Sequence, residues 1–377
     1  MMQARGGVAA GASPDAVVVG LCPHGLAVAR SLARRGLTVL ALEPNGRNPG
    51  VHTRFAQVLQ RGPINGRGLA ETLSAVAEES GWSSRPVLFL TNDNMVRSVA
   101  EHAHTLAAHY RWSWQDTAPE ILRLLNKQHL PEACAGRAVP FPATANLAGP
   151  QDVEAVTAAV SMPAMVKPAW PLGSFKARVV QSRAELERLV QDYSRSLPFV
   201  VQQWIEGTVE TLRFGVAYLE RGRVLASFEG RKAYAGPDSL GQATTMEPWP
   251  DAAVCKATTE FLRDRELSGP VAVEFKRGAD DRLWMIEPNV GRTEYCVDVC
   301  IGNGFDLPWF EYCHVDGREL PTMANHNRSI WFDCDRDRWS WVRYLARNPG
   351  DARAYRPLFP FAGHGDPGPL KARLLRR

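Results

Sequence analysis

Apolar positions in the first ninety residues fall into short runs separated by segments of helical period. Residues 15–19 (DAVVV) read as a strand; Leu26, Val28, Ala29, Leu32 and Ala33 recur at helix spacing behind the turn 20–25 (GLCPHG), and 37–42 is a second strand ending at Glu43. A third strand at 86–91, an Asn92-Asp93-Asn94 cap and a helical stretch to about Tyr110 continue the alternation, which predicts a parallel sheet flanked by helices. The pattern changes near 112–119. Beyond it come a helix at 120–130, an extended Pro-rich piece at 138–144, a helix at 152–161, and strands at 163–167, 199–204, 211–218, 224–229, 270–276 and 283–287. This half predicts an antiparallel α+β arrangement. From His326 the periodicity weakens while Trp, Pro and Arg accumulate, so 326–377 reads as a C-terminal extension of undetermined fold.

Composition narrows the class. The 377 residues are 45% apolar and 22% charged, which is ordinary globular usage. With 44 Lys+Arg against 40 Asp+Glu the net charge of +4 reads as slight and scattered, and predicts no nucleic-acid partner. No apolar stretch approaches the roughly 20 residues that cross a bilayer, and the N-terminus lacks the apolar centre of a signal peptide, so no membrane partner and a cytoplasmic location are expected. Seven cysteines without a CxxC read as reduced thiols; Cys296 and Cys300 with His314 make a poor structural zinc set.

Two stretches carry candidate chemistry. The 20–25 turn invites a dinucleotide reading, with Glu43 as the ribose acid, but Cys22 stands where the second glycine of GxGxxG belongs and Pro23 removes an amide donor. The stronger signal is 271–291 (VAVEFKRGADDRLWMIEPNVG), two apolar strands around a tight turn with one acid in each, Glu274 and Glu287, and Asn289 two residues on. An acid inside an apolar strand is costly unless a cation compensates it. Alternation puts Glu287 and Asn289 on one face and the hairpin brings Glu274 alongside, a hard oxygen set suited to Mg²⁺; salt-bridged surface acids are the plainer alternative. Lys167 ends a strand before the loop 171–176 (PLGSFK), where the Gly173 and Ser174 amides and Lys176 or Arg178 can face phosphate, and Lys127 supplies another candidate cation. In 199–207 (FVVQQWIEG) the backbone of Gln203, Trp204 and Ile205 can pair an adenine edge, with Glu206 or Glu210 on the ribose hydroxyls. No Ser/His/Asp triad is apparent, and His24, His314 and His364 read as packing or solvent residues.

In the order NK, AVPFPAT, VKP with its glycine loop, QQWIEG and GPVAVEF…WMIEPNVGR, the chain resembles the ATP-grasp superfamily over about 13–317, and within it the carboxylate–amine ligases of bacterial polysaccharide or natural-product loci. The resemblance implies a Rossmann-like pre-ATP-grasp domain (1–112), a two-lobed ATP-grasp domain (113–325, lobes about 113–200 and 201–325) and the extension 326–377. It implies phosphate contacts at Lys127 and Lys167, adenine and ribose contacts at Gln203, Ile205 and Glu210, and two Mg²⁺ ions, with Mn²⁺ as a substitute, on Glu274, Glu287 and Asn289. Gln203 stands where Glu is frequent, and Trp170-Pro171 is bulkier than usual. The implied reaction turns a small-molecule carboxylate into an acyl phosphate at the expense of ATP, then joins it to an amine. Arg292 is then placed for the phosphoryl group or the tetrahedral intermediate, Arg231 and Lys232 for the substrate carboxylate, and 235–246 as a mobile cover. Such proteins are often dimers. Two other readings are an NAD(P)- or FAD-dependent oxidoreductase using the N-terminal sheet, and a catalytically silent ATP-binding regulator.

Overall fold

A computed structural model describes residues 13–171, 173, 175–236 and 242–375. Its strands form three sheets. The first contains β1 (Ala16–Val19), β2 (Val39–Leu42), β3 (Gln57–Leu59) and β4 (Val87–Leu90) in the order β3-β2-β1-β4, every pair parallel. β1, β2 and β4 are buried at every position, as short apolar runs covered by helices on both faces must be. The predicted α/β alternation is present, and helix Gly68–Ser80, which the sequence reading did not place, completes it.

The second sheet is antiparallel, order β5-β8-β6-β7, from β5 (Thr144–Leu147), β6 (Ala164–Pro168), β7 (Arg178–Val180) and β8 (Phe199–Gln203). Helices Val153–Ala159 and Arg183–Asp192 pack on it through Val153, Val156, Leu186 and Val190.

The third has seven strands: β9 (Leu212–Glu220), β10 (Arg223–Gly236), β11 (Gln242–Pro248), β12 (Gly269–Arg277), β13 (Leu283–Val290), β14 (Ser329–Phe332) and β15 (Arg356–Leu358). Their order is β13-β12-β9-β10-β11-β14-β15, antiparallel except for the last pair. Two expectations change here. The stretch expected to be a mobile cover contains β11, which is hydrogen-bonded between β10 and β14; residues 237–241 lie outside the described part. The extension is not a fold of its own, because β14 and β15 complete this sheet. The strands β14 and β15 were not legible locally, because they are four and three residues long and β14 pairs with β11 some 85 residues earlier.

The hydrophobic interior runs across these units. Helix Pro23–Arg34 of the first sheet packs against helices Val297–Gly302 and Leu307–Asp316, placing Val28 and Leu32 in one cluster with Phe214, Phe228 and Trp331 of the seven-stranded sheet. Trp112 and Trp114, at the expected domain boundary, are buried in the other large cluster with Val96, Ile121 and Phe275. The N-terminal sheet thus shares buried clusters with the large sheet, one of them at the acid hairpin.

Candidate active site between two antiparallel sheets

The hairpin β12–β13 pairs Glu274 directly with Glu287, and Ala272 with Asn289. Directly opposed residues of an antiparallel pair share a face, so two carboxylates confront each other on one side of the sheet. Like charges so placed repel, and the fold compensates with lysines from four directions. Lys232 Nζ of β10 lies 2.5 Å from Glu274 Oε1. Lys127 Nζ and Lys167 Nζ are each 3.7 Å from Glu287 Oε2. Burial pushes the Glu287 carboxyl up, but Lys167, Lys127, Lys176 and Lys232 together outweigh it and hold it at about 2. Lys167 is depressed by burial despite Glu287, and Lys232, also opposed by burial, is raised by Glu274. Glu287 is thereby held as a carboxylate at neutral pH inside a ring of cations.

A bulge sits beside the pair. Register jumps between Glu274/Glu287 and Phe275/Met285, leaving Ile286 unopposed, so Ile286 and Glu287 both line the cleft. Strict alternation would have sent one of them away, and no sequence signal marks the bulge.

The cleft lies between the second sheet (Met165, Lys167, Gln202, Gln203) and the third (Leu212, Lys232, Glu274, Lys276, Glu287), with Lys176 and Ala177 on one side and the passage 204–209 on another. The cleft is open to solvent along one side. Met165, Trp204, Ile205, Leu212 and Ile286 make one part apolar; the other is cationic. A smaller recess lined by Asp93, Lys127, Glu287 and Asn289 lies at the acid end.

Of the expected phosphate-facing residues, Lys127, Lys167 and Lys176 line these spaces; Gly173 turns tightly on Pro168, where a Cβ would come within 2.7 Å of the ring, and Ser174 lies outside the described residues. Gln203 N–H donates to Ala143 O (2.8 Å) and Trp204 N–H to Pro163 O (3.4 Å), so an adenine edge would have to meet the Ile205 amide and the carbonyls. Glu206 is exposed, Glu210 pairs with Arg347 (3.0 Å), and the cleft is lined instead by Gly207, Thr208 and Val209. Lys276, whose Nζ stands 4.4 Å over the Trp204 ring, is a cleft residue that the sequence reading missed; its place on the hairpin, two residues after Glu274, was the available signal.

Two basic residues are corrected. Arg231 and Lys232 are consecutive in β10, so they face opposite ways. Lys232 enters the cleft, whereas Arg231 lies behind the sheet, donating to Glu247 Oε1 (2.5 Å) and stacking 3.7 Å over Trp249. Arg292 is half-buried and largely committed: Nε donates to Asp93 Oδ1 (2.5 Å), NH2 to Asn289 Oδ1 (2.8 Å) and NH1 to Thr293 O (3.1 Å). It orients Asn289 and ties the hairpin to helix Asp93–Glu101.

The glycine turn is also committed. A Cβ at Gly25 would lie 1.9 Å from Gly20 O, so the glycine serves close helix–strand packing. Glu43 accepts from the Leu21 N–H (3.0 Å), the Asn45 N–H (3.0 Å) and Asn48 Nδ2 (2.8 Å), which occupies the carboxylate that a ribose would need. Cys296 and Cys300 are buried, and among the described residues no group of three or more His, Cys, Asp or Glu side chains is placed to hold a metal. Glu274, Glu287 and Asn289 offer two carboxylates and an amide oxygen, hard donors of the kind that suit a cation whose remaining ligands would be water and phosphate oxygens.

The cleft, with an acid pair at its end, thus lies between the second and third sheets, and the parallel sheet precedes them in the chain. Solved structures share this fold. N5-carboxyaminoimidazole synthase from Aspergillus clavatus, in complex with ADP and 5-aminoimidazole ribonucleotide, is 15% identical with a TM-score of 0.63, covering 83% of this chain and 79% of its own. The biotin carboxylase domain of the 2-oxoglutarate carboxylase from Hydrogenobacter thermophilus, a dimer with MgADP and bicarbonate, is 15% identical with a TM-score of 0.67, over 84% and 73%. L-amino acid ligase from Bacillus licheniformis is 14% identical with a TM-score of 0.61, over 80% and 74%. No protein-family model and no curated protein sequence matches the chain.

Proposed function

We propose that the protein is an ATP-dependent ligase that joins a carboxylate to an amine, with ADP and phosphate as the other products. The observation that carries this reading is the opposed pair Glu274–Glu287 at the end of a cleft between two sheets, ringed by Lys127, Lys167, Lys176 and Lys232. In such a reaction a carboxylate oxygen attacks the γ-phosphorus, the bond to the ADP oxygen breaks, and an acyl phosphate forms. The amine then attacks the acyl carbon, loses a proton, and phosphate leaves. The protein's task is to position the reactants and neutralise charge. Lys127, Lys167 and Lys176 hold the phosphates, and Met165, Trp204, Ile205 and Leu212 enclose the base. Glu274, Glu287 and Asn289 would hold Mg²⁺, which supplies charge neutralisation when bound, while Arg292 keeps Asn289 in place. Lys232, in contact with Glu274, is the cation nearest the acid pair from the β10 side.

The names of the structural neighbours support this reading, since they include a carboxyaminoimidazole synthase, a biotin carboxylase domain and an amino acid ligase. It takes 1–112 as the pre-ATP-grasp domain and 113–325 as the two lobes, makes the protein a homodimer, and puts it in bacterial polysaccharide or natural-product synthesis. The oxidoreductase alternative is not favoured, because Glu43 and the 20–25 turn are spent on their own loop. The test is ADP release with Mg-ATP over a panel of carboxylic acids and amines, with mass spectrometry for the amide. Tight NAD(P)H or FAD binding without any acid- and amine-dependent ADP release would overturn it.

A further inference from the structure

The net positive charge is not scattered, contrary to the reading of the bare composition. Residues 326–377 hold 11 lysines and arginines against 5 aspartates, so this stretch carries +6 while the remaining 325 residues carry −2. Exposed apolar surface gathers in the same place. Of the seven large apolar side chains left exposed among the described residues, five lie here: Trp339 (55% exposed), Trp341, Val342, Leu374 and Leu375. Helix Ser340–Arg347 explains part of the pattern. It buries Ser340 and Tyr344 toward the large sheet, where Tyr344 donates to Glu247 Oε2 (2.6 Å), and it turns Val342, Arg343, Ala346 and Arg347 outward. Trp339 lies one turn before Arg343, and the Arg338 guanidinium stands 5.5 Å over its ring. Helix Pro367–Leu374, which ends at the exposed Leu374 and Leu375, is fastened beside this helix's entry, since Arg373 pairs with Asp335 and donates to Cys334 O (3.3 Å).

We infer that this surface docks the protein reversibly onto an anionic lipid bilayer. Indoles and aliphatic side chains among arginines match the layered chemistry of a membrane interface: acyl boundary for the apolar groups, phosphate for the guanidiniums. The match is one of charge and of apolar chemistry together. A second copy of the chain would bring one arginine-rich face against another and is disfavoured. Nucleic acid offers a partner for the arginines and the indoles but none for Val342, Leu374 and Leu375. A bilayer needs no shape-matched pocket and accepts apolar groups presented from two separate helices. That no helix among the described residues is long and apolar enough to cross a membrane is no objection, because surface docking needs none. Arg347 of helix Ser340–Arg347 pairs with Glu210, the neighbour of lining residue Val209, so docking would bring the cleft close to the lipid surface.

The test is co-sedimentation of the full chain with vesicles of phosphatidylcholine alone and with about one third phosphatidylglycerol, at low and high salt. Binding is expected only to the anionic vesicles, with a blue shift of tryptophan emission and loss at high salt. Arg338→Glu should weaken it about tenfold or more, since each near-surface arginine contributes about fivefold and the substitution reverses the charge. Trp339→Ala should weaken it similarly and reduce the spectral shift, with an unchanged unfolding midpoint in both variants because both side chains are exposed. Failure to bind anionic vesicles, equal binding to both vesicle types, or tighter binding to DNA or polyglutamate than to lipid would overturn the proposal. None of these results depends on ligase activity.

Discussion

Glu287→Gln separates the two jobs assigned to the acid pair. Glu287 is held at about 2, against an ordinary 4.5, even though burial alone would raise it. At about 1.4 kcal/mol per unit, the lysine field favours a negative charge at that point by roughly 3 kcal/mol net of desolvation. Removing the carboxylate leaves Lys127 and Lys167, each 3.7 Å from its Oε2, with the same field and no anion between them. A triphosphate without metal should therefore bind the variant more tightly, about tenfold if less than half of that field reaches the phosphates. Turnover with Mg-ATP should fall at least a hundredfold, because metal-assisted charge stabilisation is worth several kcal/mol and each 1.4 is a factor of ten. The assays are calorimetric titration of ATP in EDTA and in Mg²⁺, with Trp204 emission as a second reporter, and ADP release with substrates. Unchanged or weaker binding of metal-free ATP would show that the lysine ring does not face the phosphates. Turnover above a tenth of the parent rate would remove Glu287 from the metal site.

Three further outcomes follow from individual contacts. Arg231→Met should leave turnover within about threefold, because Arg231 faces away from the cleft, but should lower stability by roughly 3 kcal/mol by leaving the buried Glu247 without its cation; a loss of turnover with unchanged urea midpoint would return Arg231 to the active site. Gly25→Ala should cost about 3 kcal/mol or more, read as unfolding midpoint, since its Cβ would meet the backbone oxygen of Gly20 at 1.9 Å and neither element can yield. Burial pushes the Glu311 carboxyl up to about 8, only partly countered by the Ser113 hydroxyl, which donates to Oε1 at 2.5 Å. The folded chain thus keeps a proton that the unfolded chain loses near 4.5, and the stability this confers is complete below that pH and lost as pH rises through 8, at up to about 1.4 kcal/mol per unit. Glu311→Gln, which still accepts from Ser113, should flatten that decline; parallel urea-midpoint profiles from pH 5 to 8.5 would show that Glu311 does not titrate in this way.

The acid hairpin was legible because each carboxylate interrupts an apolar run, and a run of that kind has one face for a cation and another for the core. Its turn fixed the strand order, so alternation alone brought Glu274 to Glu287. What alternation could not say is which of two neighbours faces inward: Arg231 and Lys232 looked equivalent until the pairing of β10 with β9 set Lys232 toward the acids. Ile286 entered the cleft through a bulge, a departure from the period on which the reading relied. Arg292 looked available because its partner Asp93 lies 199 residues away, and β11, β14 and β15 are strands only because each lies along another. Local pattern reports local preference; long-range pairing decides the rest.

The contacts just beyond the hairpin indicate what the N-terminal sheet contributes. Four groups there are stitched to 290–294: Trp114 Nε1 donates to Gly291 O (2.8 Å), Asp93 accepts from Arg292, Val96 lies where a Gly291 Cβ would clash, and His24 Nε2 meets Thr293 Oγ1 at 2.5 Å. Burial, reinforced by Arg292, depresses His24 to about 3, so its ring is neutral. Nδ1 then donates to Thr91 O (3.3 Å) and Nε2 accepts from the Thr293 hydroxyl. Helix Asp93–Glu101, the 20–25 turn and the end of β4 are thereby bonded to the segment that begins with Asn289. A dinucleotide at this crevice would have to break those bonds and also displace Glu43 from its loop. A sheet that lends its strand ends to orienting Asn289 steadies the acid hairpin, and under the proposed function it is that hairpin, not the sheet, that carries the chemistry.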